Sequence, residues 1–397
     1  MAIEWVGFFA AIAVLLVLSR KDLSLALVTG SVVLGIFTIG PTGTLESFAR
    51  TLTTTSEMLL AFAMGLFPVL GLLLQRTGAL DDLIENLRIS KKLFLSFSAA
   101  LIGLLPVPGG ALLSAPLVKK ASGSLAPERS FVINIWFRHV LILIYPIGPA
   151  LLVPAKIANI SVYEAIPYLF PFFLLLVALG YIFLLRDIED DMTYERESQP
   201  RRLVMPLLII MTPPLLDITV NTLFEITPTE LVTFCAVLTS IVVATLWGRV
   251  SLPSLRTYAV QAKPWKFIAI IVGMFLFIGV FRESGMGALI ASLDVPTVVL
   301  CVVIAFLLAF LTGRTQLSAS VVIPTYLGAA GLLSMPHGLF AITFVSIFLG
   351  YLISPLHPCI SVSLEYFNTT LERAIRAMAS QTIVALLIVF VLFLLVY

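Results

Sequence analysis

Long apolar runs, each near the length of a bilayer-crossing helix, alternate with short polar segments along almost the whole chain. About 20 apolar helical residues cross a hydrocarbon core, so the pattern predicts ten spans. They are Ile3–Ser19, Leu23–Gly40, Glu57–Gln75, Phe131–Ala158, Tyr163–Leu185, Leu203–Val220, Glu230–Trp247, Trp265–Phe281, His337–Tyr366 and Ala377–Tyr397. Two further apolar runs, Leu93–Val118 and Val295–Gly331, are interrupted in the middle by Pro106-Val107-Pro108-Gly109-Gly110 and by Gly313-Arg314-Thr315-Gln316. Each arm of these runs has about 11 to 17 residues, or roughly 16 to 26 Å of helix, which is short for a crossing. Both runs therefore read as re-entrant hairpins in an all-α polytopic membrane protein.

Composition strengthens this picture. The chain is 60% hydrophobic and 12% charged, with a mean hydropathy of +1.09, whereas soluble domains carry about 25% charged residues. That excludes a cytosolic enzyme and a disordered regulator. The net charge of +2 says little as a sum, but its placement tests the span map, because basic residues collect on the cytoplasmic side. With the N-terminus outside, 19 of the 24 Lys and Arg residues fall in inner loops. Arg50, Lys156 and Arg282 remain outside, and Arg138 and Arg314 lie at membrane depth. Both termini are then expected outside, on a cell-membrane protein whose first helix lacks the basic leader of a cleaved signal. Trp5, Trp247 and Trp265 sit at span ends as interfacial anchors. Cys235, Cys301 and Cys359 are isolated and form no CxxC motif, so they read as packing residues. No basic stripe with interleaved aromatics suggests nucleic acid.

The chain matches itself when shifted by 206 to 209 residues. Thr77-Gly78 falls over Ser284-Gly285, and Pro116, Pro127, Pro146 and Pro149 fall over Pro324, Pro336, Pro355 and Pro358. Each half has five crossings and one hairpin, and an odd number of crossings inserts the second half upside down, the inverted-repeat architecture of secondary transporters. The expected units are a first repeat over 1–185 with a cytoplasm-facing hairpin at 91–120, a cytoplasmic linker over 186–202, and a second repeat over 203–397 with an outward-facing hairpin at 295–331. Amphipathic stretches Gly78–Ile89 and Gly285–Leu293 read as interfacial arms. They would join a static scaffold, made of spans one to three and the last span of each half, to a mobile part made of hairpins and broken helices.

Four interruptions, Pro106–Gly110, Tyr145–Pro149, Gly313–Ser318 and Ser354–Pro358, are expected to meet near the midplane. A broken helix leaves free N–H groups that attract anions and free carbonyls that hold cations. Substrate contacts are therefore expected from Pro108, Gly109, Gly110, Ser114, Arg314, Thr315, Gln316, Ser318 and His357, and coupling-ion contacts from Tyr145, Gly148, Ser354, His139 and Arg138. Ser320 adds a hydroxyl near the second hairpin. A guanidinium at membrane depth costs about 2.5 to 3.5 kcal/mol on insertion scales, so Arg314 must face a cavity, a partner or a substrate. Its planar fork suits a carboxylate, although capping of hairpin carbonyls is an alternative. Arg138 either joins this site or snorkels to the cytoplasmic face. His139 and His357 are the membrane-depth imidazoles; each is either a proton carrier or a neutral structural residue. Glu57 and Asp217 are further proton-carrier candidates near span ends, and His337 begins a span with no chemistry assigned.

The hairpin Leu105-Pro-Val-Pro-Gly-Gly-Ala-Leu-Leu-Ser-Ala-Pro116, with the second hairpin and two proline-broken helices, resembles the uncharacterised domain-of-unknown-function family 401 of prokaryotic membrane proteins, within the ion transporter superfamily. More distant relatives of that family include divalent anion/sodium symporters, gluconate and citrate permeases, and membrane subunits of tripartite periplasmic transporters. The resemblance covers essentially the whole chain. It implies an elevator-type carrier of organic anions, usually a homodimer, with substrate held between hairpin tips and broken helices. The Ser-Asn-Thr signature that the symporters place at hairpin tips is absent from this sequence.

The expected function is secondary active transport of a small organic anion, a carboxylate, by alternating access with Na+ or H+. No cofactor is expected beyond Na+ as a co-transported ion. The alternative is a membrane subunit fed by an extracellular solute-binding protein. An intramembrane enzyme is disfavoured, because the chain has no HExxH and no GxSG-like serine nucleophile, and its acids are not clustered as a paired-carboxylate site would require.

Overall fold

The computed structural model describes residues 2–104, 110–123, 125–190, 199–224, 226–293 and 295–397. Among the described residues every regular element is helical. The first half runs α1 (Ala2–Leu18), α2 (Leu23–Thr38), α3 (Gly40–Thr53), α4 (Thr55–Arg76), α5 (Ala79–Glu85), α6 (Lys91–Gly103), α7 (Gly110–Ser122), α8 (Pro127–Val140), α9 (Pro149–Ile157) and α10 (Val162–Gly180), which continues as a π-helical turn, Tyr181–Leu185. The second half runs α11 (Arg201–Phe224), α12 (Thr229–Trp247), α13 (Leu252–Ala262), α14 (Pro264–Glu283), α15 (Met286–Ala291), α16 (Ala305–Thr312, entered through a π-helical segment Val299–Ile304), α17 (Thr315–Ala330), α18 (His337–Ile353), α19 (Pro358–Phe367) and α20 (Leu371–Val396). The same order of long, short, paired and broken helices thus occurs twice.

Seven helical segments among the described residues are long and apolar enough to cross a membrane, and three shorter apolar ones accompany them. The chain is a multi-pass membrane protein. The predicted spans each coincide with a helix or a broken pair. Phe131–Ala158 is divided into α8, a 3-10 turn at Leu141–Leu143 and α9, and His337–Tyr366 into α18 and α19. Pro149 and Pro358 occupy the first turn of the resumed helices, where a missing N–H costs nothing. The interrupted runs form the helix pairs α6–α7 and α16–α17. α6 and α7 have 13 residues each, about 20 Å of helix. Residues Pro106, Pro108 and Gly109 at the turn of the first pair lie outside the described residues, and Gly110 opens α7.

Two helices were not evident in the pattern. α3 and α13 are short and polar; α3 packs on α14 through buried Ser47 and Thr51 and on α2 through buried Thr44, which lies against Gly35. A Cβ added at Gly279 of α14 would lie 2.8 Å from the Thr51 hydroxyl oxygen, so small residues let these helices approach closely. Their low apolar content hides them from a hydropathy reading.

The helices pack in two groups. In one, α2 packs on α1 and α14, α4 on α12 and α14, and α11 on α12. In the other, α6 packs on α8 and α16 on α18, while α7 reaches across to α19 and α17 to α9. The last long helix of each half packs within this second group: α10 lies on α8 and α18, and α20 on the same two. That departs from the expected scaffold, which placed them with the first three spans. The reason is volume and hydrogen bonding. Trp136 of α8 is fully buried, donates its Nε1–H to Leu176 O at 2.9 Å, and fits against Gly180 of α10.

α8 and α18 form the centre of the second group, with every residue from Ser130 to Val140 and nearly all of α18 buried. Phe340, Phe344 and Phe348 fill the middle of α18. By contrast α11, α12 and α20 bury one stripe each and expose large apolar side chains, such as Leu208, Leu238 and Leu387, as lipid-facing helices do. At the end of α10 beyond the apolar run, Arg129 grips Asp187 with two N–H···O bonds of 2.5 and 3.0 Å and holds its carboxyl below the ordinary range.

The turn of the α16–α17 pair rests on the break between α18 and α19. Gly313 ends α16 in the left-handed region, φ +62°, and a Cβ there would sit 2.6 Å from the Leu356 carbonyl carbon and 2.8 Å from the His357 nitrogen. Gly331 ends α17 at φ +65° with open space around it. Gly331→Ala is therefore expected to cost about 1–2 kcal/mol for backbone strain alone. Gly313→Ala should cost a further 1–3 kcal/mol or so for the collision. Thermal unfolding of the two variants in detergent checks this, and equal losses would contradict the packing of tip against break.

Candidate functional site

The site grows out of the two breaks. At the second, Ser354 Oγ donates to Phe310 O at 2.5 Å and accepts the Leu356 N–H at 3.2 Å, tying the break to the first arm of the hairpin. Arg314 is the N-cap position of α17, and its backbone N–H donates to Thr312 Oγ1 at 3.3 Å. Thr315 and Ser318 are buried behind it, with Ser318 Oγ donating to Arg314 O at 3.2 Å. Gln316 is half-buried, and Ser320 is fully buried with its hydroxyl turned back to Leu317 O at 2.8 Å. His357 is the N-cap position of α19, fully buried.

At the first break, Arg138 and His139 close the last turn of α8, both buried. Arg138 Nη1 donates to Ser114 Oγ of α7 at 3.3 Å. Gly103, at the end of α6, packs directly on the Arg138 carbonyl, where no Cβ fits. Arg138 thus joins the interior and does not snorkel. Tyr145 is buried with its hydroxyl 3.5 Å from Ile210 O, and Gly148 is the N-cap position of α9.

The two breaks meet. The His139 and His357 rings lie 4.7 Å apart, centre to centre, and the Tyr351 ring lies 4.0 Å from His357, tilted by 32°. The charges that act on His357 come from His139, Arg314 and Arg138, with no carboxylate among them. Among the described residues no carboxylate pairs with the Arg314 guanidinium, which is half-buried. Ser114, Arg138, His139, Arg314 and His357, drawn from both halves of the chain, therefore form one electropositive cluster beside the N-terminal ends of α17 and α19. Free N–H groups at those ends add partial positive charge. Such an arrangement suits an anion.

Tyr351 and Cys359 belong to the cluster although sequence reasoning passed over them. Cys359 offers its sulfur within 4.8 Å of both imidazoles. The only available signal was spacing: each flanks the 354–358 break by a few residues.

The remaining candidates lie elsewhere. Asp217 of α11 accepts from Tyr163 Oη and Thr233 Oγ1, both at 2.6 Å. Lys156 of α9 pairs with Glu230 of α12. These groups, with Leu60 and Asn221, line a cavity of about 330 Å³ between the two helix groups. Glu57, on α4, is half-buried and feels the charges of Lys156 and Glu230. His337 stacks on exposed Tyr168 and lies 3.2 Å from Glu164, away from both breaks.

The sequence profile of a family described as proteins of unknown function, DUF401, matches residues 4–396. The chain belongs to this family. No functionally curated protein matches it. Among solved structures it is similar to the crystal structure of the Alcanivorax borkumensis YdaH transporter, which is described as having an unusual topology. The two share 16% identity with a TM-score of 0.59, over 95% of this chain and 96% of that one. The DUF401 chain thus has the fold of that transporter.

Lys156–Glu230 is the ion pair that joins α9 to α12. Glu230→Gln alone is expected to destabilise the protein by about 1–3 kcal/mol, because it leaves a partly buried ammonium without its counter-charge. Lys156→Met combined with Glu230→Met should cost less than the single change. A double-mutant cycle of unfolding midpoints reads the difference, and additive losses would show that the pair carries no coupling.

Proposed function

We propose that this DUF401 protein is a secondary active transporter of a small organic anion, a carboxylate, moving it across the cytoplasmic membrane by alternating access coupled to Na+ or H+. The observation that carries this reading is Arg314: a guanidinium at the tip of a helix pair, inside an apolar protein, with no carboxylate partner among the described residues. Leaving that charge uncompensated is costly at membrane depth, and a substrate carboxylate compensates it with a planar, bidentate match. Thr315, Gln316, Ser318 and Ser114 supply hydroxyl and amide contacts around it. Pro108, Gly109 and Gly110 complete the corresponding tip of the first hairpin in this proposal. Tyr145, Gly148 and Ser354 line the breaks whose carbonyl ends suit a coupling cation.

In this reading the halves 1–185 and 203–397 are inverted repeats joined by a cytoplasmic linker, and both termini face outward. The helix pairs are re-entrant hairpins. The two packing groups act as a scaffold and an elevator, with the ligand travelling in the group built on α8 and α18. The fold shared with a protein described as a transporter supports this, as do the matched breaks and the two-group packing. A homodimer is the proposed assembly. The second reading, a subunit that receives substrate from a solute-binding protein, uses the same site.

A carboxylate ligand at 100 times its Kd should stabilise the wild-type protein by about 2.7 kcal/mol. Thermal unfolding with carboxylates, phosphonates, sulfonates and neutral analogues, in sodium or potassium, reads this shift and its cation requirement. Arg314→Ala is expected to remain folded and lose the shift, and Arg314→Lys to retain a fraction. An unchanged shift in Arg314→Ala would overturn the assignment.

A further inference from the structure

The anion reading leaves one feature of the cluster unused. His357 is fully buried, and beyond the backbone of Leu352 neither Nδ1 nor Nε2 finds a well-aligned hydrogen-bond partner. Buried polar atoms are nearly always satisfied, so an imidazole that the backbone serves on one side at most leaves a nitrogen for a ligand. Its neighbour His139 is oriented differently. His139 Nδ1–H donates to Ile135 O at 2.6 Å, which fixes the tautomer and leaves Nε2 as a lone-pair donor. That is the backbone-anchored arrangement in which metal-binding histidines are held. Cys359, in the first turn of α19, is the third group, and the three ligand atoms lie within 4.8 Å of one another. Ligands of a tetrahedral zinc-like ion sit roughly 3.3–3.8 Å apart. Small side-chain rotations close that gap.

We propose that His139, His357 and Cys359 bind a transition metal ion of the zinc class. The donor set, two imidazoles and a thiolate, selects borderline or soft ions over Mg2+ and Ca2+, which require oxygen ligands. Cys359 binds as thiolate, so its proton leaves to solvent on metal entry. Arg138 and Arg314 act on the same cluster and oppose a bare dication. The thiolate offsets one unit of charge. The remaining coordination position is filled by an anion, which the guanidinium groups hold from the other side. This last part rests on the transport reading and makes the ligand a metal–carboxylate pair.

Cobalt(II) is the probe. Tag-free wild-type protein titrated with Co2+, in chloride and in succinate buffer, is expected to bind one equivalent. It should develop a thiolate-to-cobalt charge-transfer band with the ligand-field bands of a four-coordinate ion. Cys359→Ser should abolish the charge-transfer band, and His139→Ala should weaken binding by about tenfold or more. Cys359→Ser is nearly isosteric, which keeps the test valid if the histidine variant fails to fold. Absence of the band in both buffers, or its survival in Cys359→Ser, would overturn the site. Arg314→Ala separates the two readings. It should keep the band in chloride, so loss of the anion response with an intact band bears on anion binding alone.

Discussion

A helix that breaks inside a membrane protein frees backbone N–H and C=O groups that lipid cannot satisfy. The rest of this structure follows from where those groups are placed. Both broken helices, α8–α9 and α18–α19, run through the interior of one helix group, enclosed by α10 and α20 and met by a helix pair from each half. Ser354 bonds the first arm of the second pair, and Gly313 admits the Leu356–His357 backbone at a distance that any side chain would block. Gly103 does the same for Arg138. The contacts that protect the freed backbone are thus the contacts that bring two histidines, a tyrosine and two arginines into one cluster.

Electrostatics then bears on what the cluster could hold. Two helix N-termini, those of α17 and α19, and the guanidinium groups of Arg138 and Arg314 lie around His357. Positive charge in an apolar interior is costly unless a negative group offsets it. The carboxylates that were candidates for coupling, Asp217 and Glu57, lie at the junction between the helix groups. There Tyr163–Asp217 and Lys156–Glu230 bridge α10 to α11 and α9 to α12. Those bridges are contacts that any relative movement of the two groups must break.

Much of this was legible in the residues. Apolar run length found every long helix, and the prolines at 146, 149, 355 and 358 located both breaks, because proline acts locally and its effect survives any tertiary context. Arg314 stood out since a charge at membrane depth has few neutral explanations. What stayed hidden was hidden for physical reasons. α3 and α13 carry too many hydroxyls and too few apolar residues for hydropathy to register, and their burial depends on partners far away in sequence. Whether Arg138 joined the site or snorkelled was undecided until α6 and α7 were packed against it. Cys359 looked like filler because its imidazole neighbours come from residues 139 and 357, and only the meeting of the two breaks makes them a group. The placement of α10 and α20 depended on side-chain fit, such as Trp136 against Gly180, that no periodicity encodes.

The central claim is that the two breaks form one anion site that opens to each side of the membrane in turn. Solute counterflow in proteoliposomes tests it most directly. Vesicles loaded with an unlabelled carboxylate that stabilises the purified protein are diluted into a trace of the same compound, radiolabelled. Alternating access predicts a transient accumulation of label above its equilibrium level, which then decays as the internal pool runs down. A monotonic approach to equilibrium at the same loading would indicate a pore, and no protein-dependent entry would contradict carriage of that anion.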